Sequence, residues 1–382
     1  MRKGLAILLT FVLTLGNLGW IRPARALGVE LQTDAVSAVL MDAASGKILW
    51  EKDAHQELPP ASVTKLMTLL VAAEAVKEGK VKLTDKVTSS ENASKLGGSQ
   101  IYLEPGETFT LEQLLYAVAV GSANDACVAV AEHICGTEEA FVEEMNKKAQ
   151  ELGLKNTHFV NAYGLPASGH YTSAYDLAVM AREALKYPLI MQLTGTKEYD
   201  LRGGKFKLWN TNKLLWWYPG TEGFKTGWTN EAHYCLASTV KRDGLGLICV
   251  VMGVPQPKGH FAESMKIYNW GFANYAYKEF APAGQKQGVV KVLKGNQDEV
   301  VATTDQPLGV TTEKGKGKNI WLETKLKPEV TAPVRAGQKL GEVLLYQGDK
   351  PLQTVDLVAQ TSVGRAKIYE QIGRTLRAVF GF

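Results

Sequence analysis

The sequence predicts an α+β protein followed by a small all-β domain and a C-terminal amphipathic helix. Three observations carry this. Strand-like runs stand at both ends of residues 36–280, with helical periodicity between them. From about Ala283 the pattern changes to short alternating runs split by glycines. The last residues return to an amphipathic helical spacing. Antiparallel strands with helices segregated from them make a layered α+β domain. The expected division is an export segment over 1–26, a main domain over 27–282, a β-rich domain over 283–360 and a terminal helix over 361–382.

The first segment has Arg2 and Lys3, then an apolar run, then Ala24-Arg25-Ala26, a small-x-small cleavage pattern. It carries four of the 43 Lys and Arg and none of the 39 Asp and Glu, so the remainder is formally balanced at 39 of each. The net +4 belongs to the leader, and no overall basic charge points to nucleic acid. No other stretch is long and apolar enough to span a bilayer.

"VSAVLMDAASGKILWEKD" reads as two strands about a turn at Ala44-Ser45-Gly46. From Ser62 to about Lys80 the spacing is helical and apolar nearly all round, as in a buried central helix. Two helices broken at Gly121-Ser122, an amphipathic helix at "EEAFVEEMNKKAQELG" and another capped near Thr172 follow. "GFKTGWT", "HYCLASTVKR" and "LGLICVVMGV" read as consecutive antiparallel strands, and "HFAESMKIYNWGFANYAYKEF" as one long helix. Cys127 and Cys135 stand eight apart on one helix, so ~12 Å apart, too far for a disulfide. A turn at Asp243-Gly244 sets Cys235 nearer Met252 than Cys249, so all four cysteines read as small buried hydrophobes. No spacing resembles a zinc site, and neither metal nor cofactor is expected.

Three short motifs stand out. In "PPASVTKLMT", Ser62 fits a helix N-cap, or a nucleophile with Lys65 one helical turn on as its base. Ser-x-x-Lys arises by chance roughly once in a chain this long, and Ser238 to Lys241 is a second case. Ser122-Ala123-Asn124 sits at a helix break, with Ser90-Glu91-Asn92 as a decoy. Lys225-Thr226-Gly227 reads either as a site or as a strand end with a glycine bulge.

In this order the three correspond to the set that marks class A β-lactamases and penicillin-binding proteins. With "AVLMDAASGKILWEKDAHQELPPASVTKLMT", "GSQIYLEPGE", "GSANDACVAVAE", "THFVNAYGLP", "GHYTSAYDLAVMAR" and "GFKTGWTNEAHYCLAST", the chain resembles the exported low-molecular-mass D-alanyl-D-alanine carboxypeptidases. The resemblance covers roughly Val36 to Phe280 closely. It implies a β-lactamase/transpeptidase-like domain and a peptidoglycan stem peptide as substrate. Ser62, Lys65 and Ser122 would be catalytic, as nucleophile, base and proton relay. Asn124, Lys225, Thr226, Gly227 and Trp228 would bind substrate. Asn124 would meet Lys65 or the peptide backbone, and Lys225 and Thr226 the terminal carboxylate. Gly227 would let the peptide lie against the strand, and Trp228 would share the oxyanion hole with Ser62 through backbone N–H groups.

Two positions depart from the family pattern. Trp228 stands where relatives often have histidine, and His260 where they often have arginine; His260 also fits a surface residue at a helix start. "HYTSAYD" reads as structural support. β-Lactam antibiotics would acylate the serine. A β-lactamase and a non-catalytic penicillin receptor are the rival readings.

In the tail, Ile368, Ile372, Leu376 and Val379 share a helical face opposite Lys367, Arg374 and Arg377. Such a helix would lie on an anionic membrane, making an exported enzyme peripherally anchored to the outer face of the cytoplasmic membrane. Packing on the β-rich domain would need an apolar face too.

Overall fold

The hairpin expected at the start forms as β1 (Ser37–Asp42) and β2 (Ile48–Lys52). The coordinates are a computed structural model that describes residues 31–316, 318–369 and 372. The export segment 1–26 and most of the terminal helix 361–382 lie outside these residues.

A 3-10 turn, Ala61–Thr64, leads into α1 (Lys65–Lys77). Ten of the thirteen α1 residues are buried, as its lack of a polar face requires. Next come β3 (Lys86–Thr88), the short α2 (Glu91–Ser94) and β4 (Thr108–Thr110). Ser90, the decoy, caps α2. The helix break at Gly121-Ser122 separates α3 (Leu111–Ala119) from α4 (Asn124–Cys135). Thr110 and Gln113 close a reciprocal capping box on α3. α5 (Glu138–Glu151) buries Phe141, Met145 and Ala149 at four-residue spacing. α6 (Ala174–Ala184) is capped by Ser173 rather than Thr172. Then follow α7 (Pro188–Gly195), the hairpin β5 (Glu198–Leu201) and β6 (Phe206–Trp209), and α8 (Leu214–Trp217).

β7 (Thr221–Thr229), β8 (His233–Arg242) and β9 (Leu245–Val254) join the first hairpin in one antiparallel sheet, ordered β2-β1-β9-β8-β7. One face, with Val39, Met41, Ala237 and Val250, packs on the helical core around α1. α9 (Gly259–Asn274) covers the other face, where Tyr268 Oη meets Ser238 Oγ at 2.9 Å. Ser238 is thereby committed to the core, so the second Ser-x-x-Lys is inert. The four cysteines are free; Cys127, Cys235 and Cys249 are buried as expected, whereas Cys135 is only half-buried.

The long helix expected over 260–280 stops at Asn274. Tyr275–Ala281 is instead β10, paired with a later strand, so the β-rich part begins at 275 and not at 283. Its aromatic residues suit a pleated surface, and the Tyr277 ring covers Gly309 of the partner strand. A pairing partner thirty residues on is invisible to helical periodicity. The other strands are β11 (Lys286–Leu293), β12 (Glu299–Thr304), β13 (Leu308–Glu313), β14 (Ile320–Leu326), β15 (Glu329–Thr331), β16 (Lys339–Gln347) and β17 (Lys350–Ala359). β10 pairs with β13, and the remainder form a six-stranded sheet ordered β14-β16-β17-β12-β11-β15. Thr311 Oγ1 of β13 donates to Asp42 Oδ1 of β1 at 2.6 Å, joining the β-rich part to the first sheet.

The β-rich core also runs past the expected boundary at 360. Val363 is buried and pairs with Val334, and Ala366 N donates to Lys294 O at 2.9 Å. A chain ending at Gln360 is expected to lose about 2 kcal/mol or more in the β-rich part relative to one ending at Lys367, from burial of one valine and its strand pairing. Urea unfolding of the two chains measures it; equal midpoints would show that 361–366 add nothing.

Candidate active site

Burial of α1 decides where Lys65 goes. As the first residue of a helix sunk in the core, it is fully buried, and its ammonium must find acceptors there. It finds three. Nζ donates to Ser62 Oγ at 2.9 Å, to Asn124 Oδ1 at 2.7 Å and to the Tyr163 carbonyl at 2.7 Å. Ser62 lies within the 3-10 turn and makes no side-chain cap, so the N-cap alternative is not what forms. Burial pushes the Lys65 pKa down to about 8, with Cys127 and Asp125 opposing the fall. Burial also lowers Lys225 well below the usual lysine range, and the Lys65 charge adds to this.

Asn124 begins α4, directly after the break at Ser122, whose φ of 61° is left-handed. Its Nδ2 donates to Gly97 O at 2.6 Å, which turns Oδ1 toward Lys65. Both ends of the amide are therefore engaged, and Asn124 holds Lys65 rather than facing the open cleft. Asp125 receives the N–H groups of Ile101 and Leu103 at 3.0–3.2 Å and so fixes the 97–107 loop. Arg202 clamps the far side of that loop, donating to both Glu107 oxygens and to the Ile101 and Tyr102 carbonyls.

The Tyr163 carbonyl is presented by a turn that Asn161 folds, its Oδ1 accepting from Gly164 N at 2.6 Å and Tyr163 N at 3.2 Å. Gly164 has φ +90°, and a Cβ there would stand 1.9 Å from the Ala61 carbonyl oxygen. The turn thus packs directly on the Ser62 segment. His170 supports it from the other side. Its Nδ1 accepts from Val160 N at 3.0 Å, so Nε2 carries the proton and donates to Thr64 Oγ1 at 2.8 Å. Burial pulls the His170 pKa down to about 4, keeping it neutral. The supporting role expected of "HYTSAYD" has this form.

β7 is the edge strand beside the Ser62 turn. A Cβ on Gly227 would meet Ser62 N and Pro60 O, each at 2.9 Å. The glycine expected to make room for a peptide makes room first for the Ser62 backbone. Lys225 is buried and donates to Thr226 O at 3.1 Å and Thr211 Oγ1 at 3.4 Å. Thr226 Oγ1 donates to Thr211 Oγ1 at 2.7 Å. Ser62, Ser122, Thr226, Gly227 and Trp228 line one cleft of about 530 Å³, while Lys65, Asn124 and Lys225 lie behind its wall. Among the described residues, the Ser122 hydroxyl has no protein partner.

His260 is not a surface residue. It is buried, lines the cleft and stacks on Tyr234 at 5.2 Å, and burial lowers its pKa to about 4, so it stays neutral near pH 7. Asn161, Tyr163, Gly164 and Thr211 were not singled out as site residues in the sequence. An Asn-x-x-Gly turn in "NAYGLP" was the readable clue to the first three. No group of three or more metal-ligating side chains occurs among the described residues.

A serine hydroxyl held on a buried lysine, at the edge of an antiparallel sheet, places the protein among serine hydrolases. Residues 24–256 match the D-alanyl-D-alanine carboxypeptidase family, and residues 275–365 match the C-terminal domain of penicillin-binding protein 5. The chain belongs to that family of low-molecular-mass penicillin-binding proteins. It is 44% identical over 351 residues to D-alanyl-D-alanine carboxypeptidase DacF of Bacillus subtilis, covering 91% of this chain and 90% of that one. DacD of Escherichia coli is 34% identical over 347 residues, covering 88% and 89%. Penicillin-binding protein 5 of Haemophilus influenzae superposes with a TM-score of 0.68 at 35% identity, covering 87% of this chain and 98% of that one.

Two outcomes are expected from this geometry. Gly164→Ala should slow penicillin acylation at least about tenfold and lower stability by about 2 kcal/mol or more, because the new Cβ must displace the Ser62 segment. A wild-type acylation rate would show that this contact does not set the Ser62 segment. Second, a histidine whose folded pKa is depressed from about 6.5 to about 4 contributes stability above pH 6.5 and loses it as pH falls through 4. Wild type should therefore lose stability over that window more steeply than His170→Asn, measured by urea midpoints at pH 7, 5.5 and 4.

Proposed function

We propose that the protein removes the terminal D-alanine from peptidoglycan stem peptides ending in D-Ala-D-Ala, through an acyl-enzyme on Ser62. One observation carries the reading: Lys65 Nζ stands 2.9 Å from Ser62 Oγ and is otherwise surrounded by acceptors. The Tyr163 carbonyl and Asn124 Oδ1 can only accept. When Lys65 loses a proton, its two remaining N–H bonds stay on those oxygens and its lone pair faces Ser62. The serine is the one neighbour of the three with a proton to give.

Ser62 Oγ attacks the carbonyl of the penultimate residue as Lys65 takes its proton. The Ser62 and Trp228 N–H groups receive the oxyanion. Collapse of the adduct breaks the amide bond, and the departing nitrogen takes a proton from Lys65 by way of the Ser122 hydroxyl. Water then attacks the Ser62 ester, with Lys65 again as base, and releases the shortened peptide. Thr226, backed by Thr211 and by the partly suppressed charge of Lys225, receives the terminal carboxylate. β-Lactams mimic this amide and acylate the same oxygen. Among the described residues, no Asp or Glu lines the cleft. The acyl ester thus lacks the carboxylate base that a rapid β-lactamase uses, which favours the peptidase reading.

We also propose export and peripheral attachment. The described residues hold no helix long and apolar enough to cross a membrane. Past Ala366, the described apolar members of the expected amphipathic stretch, Ile368, Tyr369 and Ile372, are 77%, 66% and 55% exposed. A membrane interface would cover them.

Three expected outcomes follow. Ser62→Ala should release no D-alanine from a D-Ala-D-Ala peptide and take up no labelled penicillin; label on another residue would overturn the assignment. The acylation rate should climb with pH through about 8, since roughly a tenth of Lys65 is neutral at pH 7, and Asp125→Asn should move the midpoint down. A flat profile from pH 6 to 9 would remove Lys65 as base. A chain ending at Lys367 should keep activity on soluble peptide but fail to sediment with anionic vesicles, and full-length protein left in the supernatant at low salt would refute the anchor.

A further inference from the structure

Two stacked rings stand on the β-rich sheet, on the face turned away from its core. Trp321 of β14 and Tyr346 of β16 are cross-strand partners, with ring centres 4.5 Å apart and planes 12° from parallel. β14 is an edge strand, so no further strand covers the second face of the indole, and Trp321 is 46% exposed. The pair is held in place. Trp321 Nε1 donates to Gly348 O at 2.8 Å, and Tyr346 Oη donates to Glu323 Oε2 at 3.1 Å. Trp209 and Trp216 differ: Lys207 stands 5.7 Å from the first ring centre and Lys213 4.8 Å from the second. Among the described residues, no cation covers Trp321. The rings adjoin a cavity. Pro351 of β17 is the cross-strand partner of Tyr346 and also lines an opening of about 420 Å³ between the β1–β2 turn and the β16–β17 turn. Lys47, Thr312, Gln347 and Lys350 line it too. Its one carboxylate, Glu313, is paired with Lys316, while Lys47 and Lys350 have no ion-pair partner among the described residues. Hydroxyl, amide and ammonium donors thus lie beside a fixed, open ring face.

We propose that the ring pair and the cavity form a saccharide-binding site, separate from the Ser62 cleft, for the glycan strand that carries stem peptides. A pyranose ring presents a face of C–H bonds that fits a flat indole, and a rim of oxygens that needs donors. Trp321 meets the first need and the cavity the second. Size separates this partner from a protein. An indole at this exposure leaves on the order of 100 Å² open, about the footprint of one sugar ring. A standard protein interface takes roughly 800 Å² from each partner. One strand carries many peptides, so holding it outside the cleft raises their effective concentration at Ser62. The choice of the peptidoglycan glycan among saccharides rests on the carboxypeptidase reading of the cleft; the saccharide site itself does not.

The probe is chitotetraose, four linked N-acetylglucosamine units, titrated into the full chain and followed by calorimetry. Wild type should bind it with a Kd of about 1 mM or below. Binding should be as strong at high salt as at low salt, because the sugar is uncharged. Trp321→Ala should weaken it about fivefold or more, and Trp321→Phe much less, because a flat ring remains. Lys47→Ala with Lys350→Ala should weaken it about threefold. Each variant should take up labelled penicillin at the wild-type rate, which reports an intact fold. No binding by wild type, or equal binding by Trp321→Ala, would overturn the proposal. So would a loss confined to Trp217→Ala, which would place the sugar in the Ser62 cleft that Trp217 lines. A dimer that Trp321→Ala dissolves would also overturn it, since the rings would then be an interface between copies. If wild type binds the sugar but neither takes up penicillin nor releases D-alanine, the carboxypeptidase reading fails; the saccharide site then stands without its link to peptidoglycan.

Discussion

The site depends on one constraint: an ammonium cannot be buried without acceptors, and the fold supplies Lys65 with three. Two come from remote parts of the chain, the start of α4 and the turn at residue 163. Lys65 therefore has a structural role, to which the proposed function would add a chemical one. It ties α1 to α4 and to the 161–164 turn, and the same ties aim its lone pair at Ser62 once the proton is gone. Desolvation brings its pKa to about 8, so the loss occurs within reach of neutral pH. More exposed, it would stay charged; without the two carbonyl oxygens, its lone pair would have no fixed direction.

The surroundings serve mainly to hold those acceptors still. Asn124 is turned by Gly97, whose loop is fixed by Asp125 and Arg202. The Tyr163 carbonyl is set by Asn161, and Gly164 lets that turn touch the Ser62 segment. His170, neutral because it is buried, bonds to Thr64 just before the lysine. Gly227 admits the edge strand to the Ser62 backbone from the open side. Ser62 is enclosed by backbone contacts on both sides, so it needs no side-chain cap.

Much of this was legible in the sequence, for identifiable reasons. α1 was readable because it has no polar face, and α5 because Phe141, Met145 and Ala149 repeat at four. Ser62, Lys65 and Asn124 were readable as motif residues, and they do converge. What escaped depends on partners distant in sequence. β10 looked helical until its pairing with β13 was seen. His260 fitted a helix-start surface residue as well as the family's arginine position, and its stacking on Tyr234 in the cleft has no mark in the local sequence. Thr211 bears no local mark, because its role comes from lying across from Lys225 and Thr226. Gly227 was recognised, but the surface it approaches could not be.

The two buried lysines share one environment but differ in their partners. Both lose solvation, and each lowers the other's affinity for a proton, so full charge on both at once is disfavoured. Cys127 offsets the loss for both, but Lys65 also has Asp125 and three good acceptors, whereas Lys225 has a carbonyl at 3.1 Å and a hydroxyl at 3.4 Å. The charge should therefore settle on Lys65 in the resting protein. An incoming carboxylate at Thr226 would change that balance, since a negative charge on the Lys225 side favours a proton there. A proton on Lys225 in turn makes Lys65 easier to deprotonate. Binding of the substrate's own terminus would thus prepare the base, and a peptide lacking that carboxylate would lose rate as well as affinity. Coupling of this kind needs both lysines behind the wall, where solvent cannot screen one from the other.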